Sequence, residues 1–111
     1  MQESFVTKLN RRTRPGGSLF FEALPFPTGA FSIQASEHHY STPRENLDAA
    51  DYVEWEVGII VDGQLVRPSK VSEELSRFDE YFEGGSSPVA GYVPTAVVQD
   101  LYDEILRVTN K

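Results

Sequence analysis

Ser36-Glu37-His38-His39-Tyr40-Ser41-Thr42-Pro43-Arg44-Glu45 gathers both histidines of the chain beside hydroxyls, an arginine and carboxylates. An imidazole in such company can act as a general base near neutral pH, and the ingredients of a serine–histidine–carboxylate set are present. No nucleophile-elbow pattern accompanies them. Adjacent residues on an extended chain point to opposite faces, whereas a shared metal ion wants ligands at i,i+2 on a strand or i,i+4 on a helix. At most one of His38 and His39 therefore joins any site, and neither a metal nor a cofactor is expected. Thr42-Pro43-Arg44-Glu45 has the form of a capping box, with a threonine N-cap, proline at the first helical position and glutamate reaching back. It predicts a short helical turn through Ala50, which makes the stretch a corner with His38, His39, Tyr40 and Arg44 turned outward.

Glu54 and Glu56 are the other pair whose spacing suggests chemistry. On one strand face they stand about 7 Å apart, within the range of paired glycosidase carboxylates. A sugar-sized cleft is hard to build in so small a domain, so a solvated face is expected instead. Gly16-Gly17 and Gly84-Gly85 lack the lysine and the strand-to-helix setting of a phosphate loop and read as hinges. Arg11-Arg12-Thr13-Arg14 has the charge to touch a phosphate backbone but no interleaved aromatics.

A chain of 111 residues with 40% apolar and 24% charged residues has the size and composition of one compact domain. It contains no cysteine, which excludes a disulfide framework and a thiolate nucleophile and fits a cytoplasmic location. MQESFVTKLNRR lacks the apolar core of a signal peptide, and no stretch has the roughly 20 apolar residues of a membrane span. Net charge is −7, unevenly spread. Residues 1 to 14 carry Lys8, Arg11, Arg12 and Arg14 against Glu3, whereas Glu45 to Asp62 holds six carboxylates and no lysine or arginine. A basic arm precedes an acidic body. Such a body repels nucleic acid and attracts basic surfaces.

Behind these side chains the hydrophobic pattern sets out the elements. Residues 1–17 read as a flexible arm ending in Pro15-Gly16-Gly17, and residues 18–111 as one α+β domain. SLFFEAL and AFSIQAS alternate with period two across a PFPTG turn and predict an antiparallel hairpin. In DYVEWEVGIIV, Val53, Trp55, Val57, Ile59 and Val61 line one face, and Tyr52, Glu54, Glu56 and Gly58 the other. Asp62-Gly63 supplies a tight turn into Gln64 to Arg67. Val71, Leu75, Phe78 and Phe82 predict one helix with a Glu73–Arg77 pair outside. EGGSSPVAGY reads as a connector, and a second helix opens at Val93-Pro94-Thr95 with Val98, Leu101, Ile105 and Val108 buried. The expected architecture is a small antiparallel sheet of about four strands with two C-terminal helices on one face. Its other face would show Phe20, Glu22, Ser32, Gln34, Tyr52, Glu54 and Glu56.

These readings converge on a non-enzymatic binding protein that occupies a basic or polar site on another macromolecule, in the manner of phage-encoded inhibitors of bacterial defence. The expected contact residues are His38, His39, Tyr40, Arg44, Tyr52, Glu54 and Glu56, and the partner is a protein with a basic surface. A homodimer is compatible with the same features. The alternatives are an immunity or antitoxin protein that neutralises a basic toxin, and a small hydrolase or ligand-binding enzyme using His38 or His39.

Overall fold

The computed structural model describes residues 4–82 and 88–110. It is an α+β fold with seven strands in two antiparallel sheets and a C-terminal helix. The strands are β1 (Arg11–Thr13), β2 (Leu19–Phe21), β3 (Leu24–Phe26), β4 (Gly29–Gln34), β5 (Glu54–Val61), β6 (Gln64–Val66) and β7 (Ala90–Pro94). The helices are α1 (Pro68–Val71) and α2 (Thr95–Thr109), with 3₁₀ turns at Phe5–Lys8, Ala49–Asp51 and Glu73–Tyr81. Among the described residues no helix is long and apolar enough to cross a membrane.

Strand β5 is the spine, as its alternation predicts. One of its edges pairs with β4, Gln34 facing Glu56 and Ala30 facing Ile60. The other edge is shared end to end, β6 pairing with Ile59–Val61 and β7 with the Glu54–Val57 half. Asp62 and Gly63 adopt φ angles of 53° and 77°, as the β5–β6 turn requires. Phe31, Ile33, Trp55, Val57 and Ile59 are buried on the inner face. Helix α2 lies against that face through Val98, Leu101, Tyr102 and Ile105, Tyr102 stacking on Phe31 with ring centroids 6.4 Å apart.

Several expectations are corrected. SLFFEAL breaks into two strands of different sheets: β2 pairs with β1, and β3 forms the hairpin with β4. Gln34 is buried rather than solvated, because its carboxamide grips the Phe21 backbone. Its Oε1 accepts from Phe21 N at 2.7 Å and its Nε2 donates to Phe21 O at 2.7 Å. A side chain thus supplies the pairing that carries the edge from β3 on to β2. Val53 lies outside β5 and is 60% exposed. The first predicted helix is instead the short α1 followed by a nine-residue 3₁₀ segment. Arg77 pairs with Asp100 of α2 at 3.2 Å rather than with Glu73, so that segment is tied sideways to α2. Of the predicted connector, residues 83–87 lie outside the described residues, as does the Gly84-Gly85 hinge, while Ala90-Gly91-Tyr92 belong to β7. Val93 and Pro94 end that strand, and α2 begins at Thr95.

The N-terminal arm is also part of the packing. Phe5 is 0% exposed, meets the Trp55 ring edge-on at 5.3 Å, and donates its N–H to Gln99 Oε1 at 2.8 Å. The arginines beyond it lie against the body. Arg11 sits 4.3 Å over the Phe21 ring and donates to Leu47 O, Arg12 pairs with Glu22 at 2.7 Å, and Arg14 covers Phe20 at 4.3 Å. A boundary at residue 17 therefore does not follow the packing.

Candidate functional site

The Ser36–Glu45 stretch folds back across the outer face of the sheet, and strand pairing rather than a helix cap fixes it. Thr42 forms an isolated antiparallel bridge with Glu54: its N–H donates to Glu54 O at 3.0 Å, and its carbonyl accepts from Val53 N at 2.9 Å. Its hydroxyl, which a capping box needs for the backbone, donates to Glu54 Oε1 at 2.6 Å. Thr42-Pro43 is a cis peptide, and the only helical turn in the following loop is the 3₁₀ turn at Ala49–Asp51. The predicted capping box is therefore absent. Glu54 serves as its replacement, binding the corner to the spine.

Tyr52 leaves the predicted contact set for a similar reason. It is 3% exposed, because its hydroxyl holds the loop from inside: it donates to Glu45 O and accepts from Leu47 N at 2.8 Å and from Arg11 Nη2 at 3.3 Å. A buried phenol needs such partners, and here they pin the corner to the core.

The remaining residues meet around Glu56. Tyr40 donates its N–H to Glu56 Oε1 at 3.2 Å, and its carbonyl accepts from Tyr92 N at 2.9 Å. Tyr92 reaches this position through a bulge in β7. Trp55 faces Val93 and Val57 faces Ala90, so Gly91 and Tyr92 together oppose Glu56 alone. Tyr92 takes φ = 56°, a left-handed conformation costing roughly 1–3 kcal/mol for a bulky residue. A Cβ on Gly91 would come within 2.9 Å of Tyr40 Cβ, so glycine there is what lets the corner lie down on the strand. The Tyr40 and Tyr92 rings then meet at a tilt of 30° with centroids 5.7 Å apart and remain 53% and 46% exposed. Arg44 places its guanidinium 5.4 Å over Tyr40. Beyond Tyr92 the surface dips into a hollow of about 360 Å³ lined by Glu80, Tyr81, Val89, Gly91 and Tyr92.

The two histidines part company, but in a turn rather than on an extended strand, the His39 N–H donating to Ser36 O at 3.3 Å. His38 is exposed, with Nε2 3.3 Å from Glu37 Oε1. His39 is half-buried at the mouth of a hollow of about 220 Å³ that it shares with Arg14, Ser32, Gln34, Glu56 and Gly58. Burial lowers its pKa below the ordinary 6.5, Glu56 opposes that fall, and Arg14, His38 and Arg11 add to it. Its Nδ1 lies 2.7 Å from Ser36 Oγ, the spacing of a nucleophile and its base. Ser36 is 0% exposed, however, and its Oγ also accepts the His38 N–H at 3.0 Å, so the pair closes the turn and has no open side for a substrate. Among the described residues, no group of three or more His, Asp or Glu side chains is placed to share a metal ion. A larger cleft of about 610 Å³ runs between Leu9, Leu19 and Asp48, but the arginine at its wall, Arg11, is already bonded to Ala35, Leu47 and Tyr52.

Tyr92, Tyr81 and Glu80 escape sequence reading. Tyr92 follows a glycine in a stretch that reads as a connector, and a bulge leaves no mark in hydrophobic periodicity. Arg14 joins the His39 hollow only because the arm folds onto the body. No protein-family model matches the chain, and neither the curated proteins nor the solved structures contain a match.

Proposed function

We propose that the protein works by binding, without chemistry of its own, to a basic or polar site on another macromolecule, with Tyr40, Tyr92 and Arg44 at the centre of the contact and Glu54 and Glu56 beside it. The observation that carries this reading is the exposed pair of tyrosine rings in contact, Tyr40 and Tyr92. Two half-exposed rings are held in place before any partner arrives, by the bonds of Tyr40 to Glu56 and to Tyr92. Tyrosine and arginine are the side chains that most often dominate binding energy, and preorganised ones lose little entropy on association. The acidic surroundings favour a basic partner. This chemistry serves a phage-type inhibitor of a bacterial defence system and equally an immunity protein facing a basic toxin. The buried position of Ser36 weighs against the hydrolase reading of His38 and His39.

The test compares partner capture from the native host by the wild type, Tyr40→Ala, Tyr92→Ala and, as a control on another face, Lys70→Ala. The expected result is one basic partner whose affinity falls about tenfold in each tyrosine variant and is unchanged in the control. Equal affinity in all four proteins would overturn the proposal.

A further inference from the structure

The hollow beside Tyr92 extends the contact reading and rests on it. Three observations bear on what it holds. First, Tyr92 keeps a left-handed backbone at φ = 56° where glycine would sit without strain, so its ring is retained against a local conformational cost. Second, the exposed Tyr92, Tyr81 and Glu80 all line the hollow, and no ion pair involves Glu80 among the described residues. Third, this chain repeatedly lays guanidinium groups on rings: Arg11 on Phe21, Arg14 on Phe20, Arg77 on Phe78 and, on this very surface, Arg44 on Tyr40. Among the described residues none lies over Tyr81 or Tyr92.

Two aromatic rings and a carboxylate on one lining are complementary to a planar cation. We propose that this recess receives the guanidinium of one arginine from a basic segment of the partner protein, flat on Tyr92 and paired with Glu80. Arginine is favoured over lysine because its flat, weakly hydrated head stacks and pairs at once.

The probe is a short glycine–serine peptide carrying three arginines, set against the same peptide with citrulline, which has the shape but not the charge. Amide shifts are followed during titration. The arginine peptide is expected to move Tyr81, Val89, Gly91 and Tyr92, and the citrulline peptide to leave them in place. Glu80→Gln should weaken binding about fivefold. Asp62→Asn, an equal loss of charge at the β5–β6 turn, should change it less than about twofold. Tyr92→Gly, which keeps the left-handed backbone without strain, should abolish the recess shifts while leaving the rest of the spectrum that of the folded protein. Equal binding of citrulline, or equal losses in Glu80→Gln and Asp62→Asn, would overturn the proposal. If the recess fails this way while Tyr40→Ala still loses the partner, the recess is wrong and the contact surface stands. If the peptide binds as expected but partner capture ignores Tyr40 and Tyr92, the recess still recognises a guanidinium, but its assignment to the partner's arginine falls with the contact reading.

Discussion

Single side chains here do work that their local sequence does not announce. Trp55 is enclosed by Phe5, Phe21 and Tyr52, with ring centroids at 5.3, 6.1 and 5.3 Å, and its Nε1 donates to Thr95 Oγ1 at 2.9 Å. Emptying such a site costs about 3–5 kcal/mol, so Trp55→Ala should lower the denaturant midpoint by a corresponding amount, with a loss under about 1 kcal/mol contradicting the packing. His39 makes a prediction of a different kind. Its folded pKa is depressed, so on acidification the unfolded chain takes up the proton first. Its contribution to stability is complete above pH 6.5 and is lost as the pH falls from there toward the lower folded value. Urea unfolding at a series of pH values should show that decline in the wild type, and a shallower one in His39→Gln. Identical acid limbs would assign the effect to carboxylates.

At the scale of elements, β4 and β5 are legible in the sequence because each is half-buried and its alternation records which half, and the turn between β5 and β6 because Asp62-Gly63 suits the positive φ angles it needs. The buried stripe of α2 is legible for the same reason. What misleads is pairing between distant segments. Thr42-Pro43-Arg44-Glu45 has every local mark of a helix start, but Glu54, twelve positions on, takes both the backbone and the hydroxyl of Thr42. Tyr52 fits the polar face of β5 by parity, yet its hydroxyl serves the loop at Glu45–Leu47. Gln34 stands where the pattern expects a solvated residue, and a carboxamide that replaces strand pairing cannot be told from one that faces water. Gln34→Ala leaves the buried Phe21 N–H and C=O without these partners and should cost about 1–3 kcal/mol, measurable by thermal or denaturant unfolding. The N-terminal elements yield to a similar test. The amides of Phe5 and Arg14, bonded to Gln99 Oε1 and Ser18 O, should exchange far more slowly than those of an unattached arm, and Phe5→Ala should destabilise by about 3–5 kcal/mol.

For the molecule as a whole, folding the basic arm onto the body changes what the charge can do. Arg11, Arg12 and Arg14 already lie against Phe21, Glu22 and Phe20, so on the proposed reading a basic partner would meet a field set by the acidic segment around β5. Association with a basic partner should slow by about tenfold between low and high salt. Glu54→Gln with Glu56→Gln, which keep an acceptor oxygen for Thr42 and Tyr40, should flatten that dependence in stopped-flow or surface-binding rates. A salt-independent rate would remove steering from the account. The bond from Phe5 N to Gln99 Oε1 also has a consequence for the order of events during synthesis. The pocket around Trp55 is closed on one side by Phe5, which is held there by Gln99 of α2, 94 positions later in the chain. A ribosome that has released β1 to β6 has therefore exposed a sheet whose largest ring still lacks its anchored cover. The core around Trp55 can close only once α2 is available to hold its cover, a contact of long sequence separation whose loop-closure cost comes before its reward.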